Sequence, residues 1–243
     1  MKIEISLKEM MEILKMASLG KLMSGLIHNL NSPLQNIGMD IELAAMYLKD
    51  NKHVLKEITE KLNPRIERME NEFERINQIL KRGTINIQMD EYYLKSMTLT
   101  LFIQQVMKML EANLYFKHNV KKEMNLVPDL PKLDQRSEDF WFALIWFMQS
   151  MIDNIEKNEI KELMIKTDKN GQNQELIFQI KEGKFSADFL KSLNIETSLL
   201  PDHLQITEDA MLHIALHVLR SEGVVSRGES TGSATIVTLL ISH

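Results

Sequence analysis

The sequence contains no cysteine and little glycine or proline, with 9 glycines and 5 prolines among 243 residues. The absence of cysteine excludes disulfide bonds, thiol nucleophiles and thiolate metal sites, and it is typical of a reducing compartment. The scarcity of glycine and proline leaves little material for flexible linkers, and the chain shows no internal repeat or low-complexity tract. We therefore expect one or two folded domains in the cytoplasm.

An excess of positive charge is also missing, since 29 Lys and Arg residues stand against 34 Asp and Glu residues, for a net charge of -5. No nucleic acid is therefore expected as a partner. The longest apolar run without a charged residue, 140–152, has 13 residues, whereas crossing a bilayer takes roughly 20. The charged N-terminus does not resemble a secretory signal, and we expect no membrane insertion.

Residues 8–83 place apolar side chains every three or four positions, which predicts two long amphipathic helices. The apolar stripe of the first helix consists of Leu19, Leu22, Leu26, Leu30, Leu34, Ile37, Ile41, Ala44 and Leu48. That of the second consists of Leu55, Ile58, Leu62, Ile66, Met69, Phe73, Ile76 and Leu80. Because the joint near 50–52 is short, the two helices are expected to form an antiparallel hairpin. Pro33 and Pro64 lie off both stripes and predict local kinks.

A lone hairpin offers each stripe only one neighbour, and a second copy would complete the core. We therefore predict a homodimeric four-helix bundle with two-fold symmetry. The alternative, in which the second half of the same chain covers the hairpin, stays open at this point.

The pattern after Gly83 mixes helical and strand-like segments. It predicts an extended piece at 85–89, a helix at 98–113, a strand at 118–125, an apolar helix at 138–156, strands at 163–167 and 175–181 around Asn170-Gly171, a helix at 207–221, and strands at 224–227 and 234–241. The fold class is thus α+β, with helices on one face of a mixed sheet. The predicted domains are 1–83, the helical hairpin, and 84–243, the α/β domain.

The most unusual segment is 25–35, GLIHNLNSPLQ. A helix turns about 100° per residue, so His28, two places after Leu26, is predicted to point about 160° away from the stripe, into water. Ser32 follows four residues later on the same face, and Pro33 frees backbone carbonyls nearby. The neutral imidazole is a nucleophile near physiological pH, so this turn is a candidate reactive site.

This segment resembles the phosphoacceptor box of two-component sensor histidine kinases. In that family a long helix presents a histidine that is followed by an acidic residue and, five positions after the histidine, by a proline; His28 and Pro33 keep that spacing. The predicted order of elements also resembles the family over nearly the whole chain, as a dimerisation bundle followed by a histidine-kinase-type ATPase α/β sandwich.

The resemblance implies that His28 takes a phosphoryl group on a ring nitrogen. Asn29 stands where active kinases have an acidic residue that orients or deprotonates the imidazole, and an amide accepts a hydrogen bond but is not a base. Ser32 stands where the family usually has Thr or Asn, which position a water for dephosphorylation of the partner. The candidate catalytic residues are therefore His28, Asn29 and Ser32.

An ATP site of this family would need residues that the C-terminal half lacks. Trp146 and Ser150 stand at two asparagine positions of the magnesium-binding helix, Lys181 stands at the adenine-binding aspartate, and no glycine occurs between Gly183 and Gly223. An indole is not a magnesium ligand, and an ammonium accepts no hydrogen bond from adenine. The resemblance therefore implies a degenerate ATPase domain without tightly bound cofactor, with ATP binding lost and Mg supplied by a partner receiver domain. A working site in a different register is the alternative.

These features predict a histidine phosphotransferase or pseudokinase of a phosphorelay, which exchanges a phosphoryl group between His28 and the aspartate of a response-regulator receiver domain without using ATP itself. Two alternatives stay open. One is an active but atypical sensor kinase that binds ATP, and the other is a non-catalytic dimeric scaffold that sequesters a response regulator.

Three other groups of residues receive structural interpretations. The aromatic cluster at 140–147 is expected to be helix core, with any exposed part contacting a partner. His213 and His217 have the spacing of a metal pair but no third ligand in view, so no metal site is expected. The charged residues of the second helix are expected to form a solvated face; they are Glu67, Arg68, Glu70, Glu72 and Arg75.

Overall fold

The computed structural model of the protein describes residues 6–50, 55–87, 96–195, 210–232 and 234–242. In the first two helices the side chains of 19, 21–26, 28, 50, 55–59 and 79–87 lie outside this description. The chain divides into two compact units, Leu19–Gln88 and a second unit that joins Met1–Ser18 to Met89–His243. The domains predicted from the sequence were 1–83 and 84–243. In the structure the first 18 residues group with the C-terminal unit and not with the hairpin.

The helical unit is built from two long helices, α1 (Leu7–Asp50) and α2 (Leu55–Ile87). Both helices continue through a proline, Pro33 in α1 and Pro64 in α2. The extended piece predicted at 85–89 is wrong over its first three residues, because α2 runs through Gly83 to Ile87. A single glycine in a helix costs only about 1 kcal/mol, which tertiary packing readily offsets. Residues 88 and 89 lie outside the described ranges.

Charged and polar side chains lie in the interior of the hairpin. Asp40 is buried, and its Oδ1 lies 3.0 Å from Nη1 of Arg65 and 3.6 Å from Nη1 of Arg68. One turn earlier on α1, Nδ2 of Asn36 donates to Oε1 of Glu72 at 3.0 Å. The prediction of a fully solvated charged face on α2 is therefore wrong for Glu72, whose side chain is only 16% exposed. Helical periodicity cannot reveal this, since the amide partner of Glu72 is on the other helix.

The α/β unit contains five further helices and five strands among the described residues. In chain order these are α3 (Leu99–Leu110), α4 (Leu114–Asn119), β1 (Lys121–Asn125), α5 (Glu138–Lys157), β2 (Glu162–Asn170), β3 (Asn173–Ile180), α6 (Ala187–Asn194), α7 (Ala210–Ser221), β4 (Val224–Thr231) and β5 (Ala234–Ile241). The α+β class is confirmed. The strand predicted at 118–125 begins only at Lys121, because Asn113 caps the short helix α4 and accepts from the amide of Phe116.

The strands form one mixed sheet in the order β1-β2-β3-β5-β4. β1 and β2 are parallel, and the remaining pairs are antiparallel. The hairpin between β2 and β3 turns at Gly171, whose φ of 63° suits a residue without a side chain. Inward-facing residues alternate along β2, β3, β4 and β5, as in Leu163 and Ile165, and they pack against the helical layer, whereas no residue of β1 is buried.

Helix α5 is the centre of the core and is apolar on nearly every side. Its fully buried side chains include Phe140, Trp141, Trp146 and Phe147, so the predicted aromatic core is confirmed. A helix that is apolar all round has to be covered on each side. The sheet covers part of it through Phe178 of β3, whose ring centre lies 6.1 Å from that of Phe147, and α7 covers another part. The first turns of α1 also pack against this core through Met10.

Helix α6 was not predicted, and it closes the outer edge of β4. Asn194 donates from Nδ2 to the carbonyl of Gly228 at 2.8 Å and accepts from its amide at 2.9 Å. A Cβ added at Gly228 would lie 2.9 Å from Cδ2 of Leu190 and 2.9 Å from Cδ1 of Leu193, so glycine permits this close approach. Arg220 supports the end of α6 by donating to the carbonyl of Leu193 at 3.1 Å.

In the described part of the chain, no helix combines the length and apolar character that crossing a membrane requires.

Candidate functional site

The predicted reactive turn lies in the middle of α1. His28, Asn29 and Ser32 are all within the helix Leu7–Asp50. The side chain of His28 lies outside the described part, so its predicted exposure stays a prediction. Asn29 is half-buried and takes part in a polar or electrostatic contact, whereas Ser32 is exposed.

The helical phase of this turn is set by Pro33, which is buried although it lies off the predicted stripe. Asp40, seven residues later, is also buried, so these two residues mark the face of α1 that is turned away from solvent. A helix turns about 100° per residue, so position 28 is about 140° from Pro33 around the helix. Ser32, four residues after position 28, shares its side.

Apolar side chains remain uncovered on the hairpin. In α1, Ile27, Leu34, Ile41 and Leu48 are each more than half exposed, and they are spaced seven residues apart. In α2, Ile66 and Phe73 are also seven apart and are 46% and 60% exposed. The predicted stripes are thus only partly buried within one copy of the hairpin. A seven-residue apolar repeat is the pattern through which helices pair in coiled coils and bundles.

The two positions at which the resemblance would place magnesium-binding asparagines hold Trp146 and Ser150. Trp146 is fully buried, its ring lies 6.1 Å from that of Phe142, and its indole N–H has no hydrogen-bond partner among the described residues. The Ser150 hydroxyl, one turn later, is also buried and lacks a hydrogen-bond partner there. Neither residue supplies the carboxamide oxygen that a magnesium ion would need at these positions.

A cleft of about 460 Å³ lies beside the last turns of α5, and it is lined by Ser150, Asp153, Asn154, Glu156, Lys157, Phe189 and Leu212. The amide of Asn154 is committed to the protein, because Nδ2 donates to Oγ of Ser186 at 2.9 Å and Oδ1 accepts from the amide of Ser186 at 3.0 Å. Lys181, at the position where the resemblance would place an adenine-binding aspartate, is exposed just after β3. An ammonium at position 181 accepts no hydrogen bond from the amino group of adenine, and both polar atoms of the Asn154 side chain are already bonded within the protein.

No group of three or more His, Asp or Glu residues that could hold a metal ion is found in the described ranges. His213 and His217 lie on α7, where both are half-buried. His217 has a contact of its own within the protein.

Two charged groups near the start of α1 have shifted pKa values. Hydrogen bonds from the side chain and the backbone of Ser6 lower the pKa of the Glu9 carboxyl, in the arrangement of a helix capping box. Burial alone would lower the pKa of Lys15. The hydrogen bond and negative charge of Asp139, together with Glu138 and Glu12, outweigh burial and raise it.

Sequence reasoning missed the buried pair of Asp40 and Arg65 and the contact of Lys15 with Asp139. Each pair joins elements that are separate in sequence, by 25 residues in the first case. The seven-residue spacing of Pro33 and Asp40 places them on one face of the helix, but the sequence did not indicate that this face is buried.

No protein-family model matches the chain, and no curated protein is significantly similar to it in sequence. Similar solved structures include the Acinetobacter baumannii histidine kinase AdeS, at 14% identity and a TM-score of 0.43, which covers 88% of this chain and 97% of that chain. A bacterial phosphotransferase at 12% identity and a TM-score of 0.42 covers 98% of each chain. The catalytic domain of the histidine kinase ThkA, at 13% identity and a TM-score of 0.44, covers 60% of this chain and 93% of that chain. Similarity at this level does not transfer the activities of these proteins to this chain.

Proposed function

We propose that the protein is a dimeric histidine phosphotransferase, in which His28 exchanges a phosphoryl group with the aspartate of a response-regulator receiver domain. The observation that carries the proposal is the turn from His28 to Pro33. Pro33 is buried and Ser32 is exposed, so the helical phase favours an accessible position 28. A nucleophile that reacts with another protein has to be on the accessible side of its helix.

The proposed transfer requires little from this chain beyond positioning. The lone pair of one imidazole nitrogen attacks the phosphorus of the receiver's aspartyl phosphate, a P–N bond forms, and the P–O bond to the carboxylate breaks. The other ring nitrogen keeps its proton, and the reverse reaction regenerates the aspartyl phosphate. Magnesium would come with the receiver and neutralise the phosphoryl oxygens. Asn29, which cannot act as a base, is suited to holding rather than deprotonating the imidazole.

The proposed dimer is supported by the exposed repeat on the hairpin. Four apolar side chains of α1 at seven-residue spacing, with Ile66 and Phe73 of α2, are left in solvent by one copy. Burying such a row against an identical hairpin removes it from water and forms a four-helix bundle.

Independence from ATP is supported by the C-terminal unit. Trp146 fills the core where a magnesium ligand would be needed, and the amide of Asn154 is already bonded to Ser186. We expect calorimetric titration with Mg-ATP to give no binding tighter than about 1 mM, equivalent to roughly -4 kcal/mol. Tighter binding would favour an atypical kinase instead.

The transfer itself is tested with receiver domains that have been phosphorylated by a small phosphodonor. Labelled phosphate should appear on the wild-type protein, remain on the control variant His118→Ala, whose histidine is exposed on the α/β unit, and vanish from His28→Ala. If receivers bind the protein but never transfer label to it, the result would favour the alternative in which the protein is a non-catalytic scaffold. Equal labelling of His28→Ala would place the phosphoryl group elsewhere.

A further inference from the structure

Methionines are the side chains of this protein that peroxide oxidises most readily, because the chain has 17 of them and no cysteine. Most of the described methionines are partly or fully buried, such as Met97 at 1% exposure. In the described ranges four are at least half exposed, namely Met16, Met39, Met46 and Met124. An exposed thioether is reached before a buried one, so these four are the candidate sites of oxidation.

Met39 and Met46 lie on the same side of α1 as the proposed reactive turn. They are 56% and 60% exposed and are seven residues apart, as are Ser32 and Met39. A helix turns about 100° per residue, so Ser32, Met39 and Met46 fall within about 40° of one another around the axis. Position 28 falls within the same range. These exposed residues therefore form one stripe that includes position 28.

This stripe is distinct from the apolar row assigned to the proposed dimer. Met39 is about 140° from Leu34 and about 160° from Ile41 around the helix. A dimer that buries the row of Leu34 and Ile41 therefore leaves the thioethers of Met39 and Met46 accessible. Exposed methionines form apolar surfaces that adapt to a binding partner.

We propose that Met39 and Met46 form a reversible oxidation site, at which hydrogen peroxide slows phosphoryl exchange with the receiver. This inference rests on the proposed function and adds a modification to it. At each Sδ an S–O bond forms while the O–O bond of the peroxide breaks and water leaves, so the thioether is oxidised and the peroxide is reduced. The sulfoxide is polar, and methionine sulfoxide reductases return it to the thioether.

The proposed transfer would bring the receiver onto this stripe. Met39 and Met46 follow position 28 by 11 and 18 residues, which is about 16 Å and 27 Å along a helix. A domain of about 100 residues has a radius of gyration of about 13 Å and so spans roughly 30 Å. The first turns of α1 pack against the core of the α/β unit through Met10, so the open length of the helix runs towards Met46. A receiver that extends along it covers both thioethers, and sulfoxides there disrupt an apolar contact.

The first measurement locates the sulfoxides. After graded treatment with hydrogen peroxide, peptide mapping by mass spectrometry should find Met39 and Met46 oxidised as early as the exposed Met124, and well before the buried Met97 and Met148. Oxidation of Met97 as early as Met39 would overturn the assignment of the site.

The second measurement compares, for each variant, the rate at which label moves from a phosphorylated receiver to the protein before and after peroxide. Oxidation should slow this transfer by roughly ten-fold in the wild type. It should do the same in the matched control Met124→Leu, which removes an exposed methionine of β1. It should leave the rate of Met39→Leu combined with Met46→Leu nearly unchanged relative to the same untreated variant. Methionine sulfoxide reductases should restore the wild type.

The outcomes separate this inference from the proposed function. Labelling of His28 by phosphoramidate needs no receiver, so it should be insensitive to oxidation of Met39 and Met46. If oxidised wild type transfers at the full rate, or if the loss persists in the double leucine variant, the oxidation site is overturned and the proposed function stands. A wild-type protein that accepts no label before treatment overturns the proposed function, and the effect on transfer falls with it.

Discussion

Arg65 lies 3.0 Å from the buried carboxylate of Asp40 and packs over the ring of Tyr47, with its guanidinium carbon 5.1 Å from the ring centre. This pair links α1 to α2 inside the hairpin. Buried ion pairs contribute little net stability, but the loss of one partner leaves an uncompensated charge. Their best-attested role is to fix the register of packed helices.

The two arginines beside Asp40 give a controlled test of this pair. Arg65→Ala should lower the free energy of unfolding by about 3 kcal/mol, because it leaves a buried carboxylate without its close partner. Arg68 reaches the same carboxylate at 3.6 Å but is 60% exposed, so Arg68→Ala should cost less than about 1 kcal/mol. Urea denaturation of both variants measures the difference. Equal losses would show that the buried pair has no special role.

The raised pKa of Lys15 predicts that the folded protein loses stability as the pH rises into the alkaline range. Its pKa in the folded protein is raised above the ordinary 10.5, mainly by Asp139 against the effect of burial. The contribution of Lys15 is thus fully present below its unfolded pKa and is lost as the pH rises through the higher folded pKa. The unfolding midpoint of wild type should fall more between pH 9 and about 11.5 than that of Lys15→Met. The exposed Lys8→Met serves as the control, and identical slopes for all three proteins would contradict the prediction.

Gly228 and Gly20 are predicted to respond in opposite ways to alanine. Gly228→Ala should destabilise the protein by about 1–2 kcal/mol, because the new methyl group meets Leu190 and Leu193 at 2.9 Å. Gly20→Ala adds a methyl group in open space within a helix and should stabilise it by about 0.5–1 kcal/mol. Thermal unfolding reports both. A neutral Gly228→Ala would mean that α6 is free to shift away from β4.

Placing an asparagine at position 146 should not create a nucleotide site. Trp146→Asn removes a fully buried indole and should cost about 3–5 kcal/mol. Trp146→Phe keeps most of the packing and also removes an N–H that has no hydrogen-bond partner in the described ranges, so it should cost far less. Chemical denaturation ranks the variants, and Mg-ATP titration of any folded Trp146→Asn protein should remain flat. Gain of ATP binding would contradict the proposal that the C-terminal unit cannot be made to bind nucleotide by this single change.

The sequence was most informative where one periodic pattern extends over many residues. The long helices, the aromatic core of α5 and the turn at Gly171 all follow from apolar spacing or from a two-residue turn signal. The predicted end of α2 was wrong because the β-branched residues Ile85 and Ile87 favour extended structure locally, whereas the helix continues through them. Helix α6 was missed because it has only eight residues, although Ser186 caps it by accepting from the amide of Phe189.

The candidate site was less accessible to sequence reasoning than the fold. The helical location of His28, Asn29 and Ser32 follows from periodicity, but their catalytic roles rest on resemblance and stay predictions. The phase of that helix depends on which residues meet α2, and here Asp40, a charged residue, is among the most buried. A pattern that counts only apolar residues as buried assigns Asp40 to the solvent-exposed face of α1, although it is buried.

The bonds from Asn194 to both backbone groups of Gly228 have a consequence for the behaviour of the protein at high concentration. They occupy the outward N–H and C=O of one residue in the middle of the last strand in the sheet, as a neighbouring strand would. The opposite border is the five-residue strand β1, which begins with Lys121 and Lys122. A short border rich in lysine is a poor template for strand addition. Both edges of the sheet are therefore poor templates for the strand addition that builds fibrils. We expect any self-association of the protein to involve its helices.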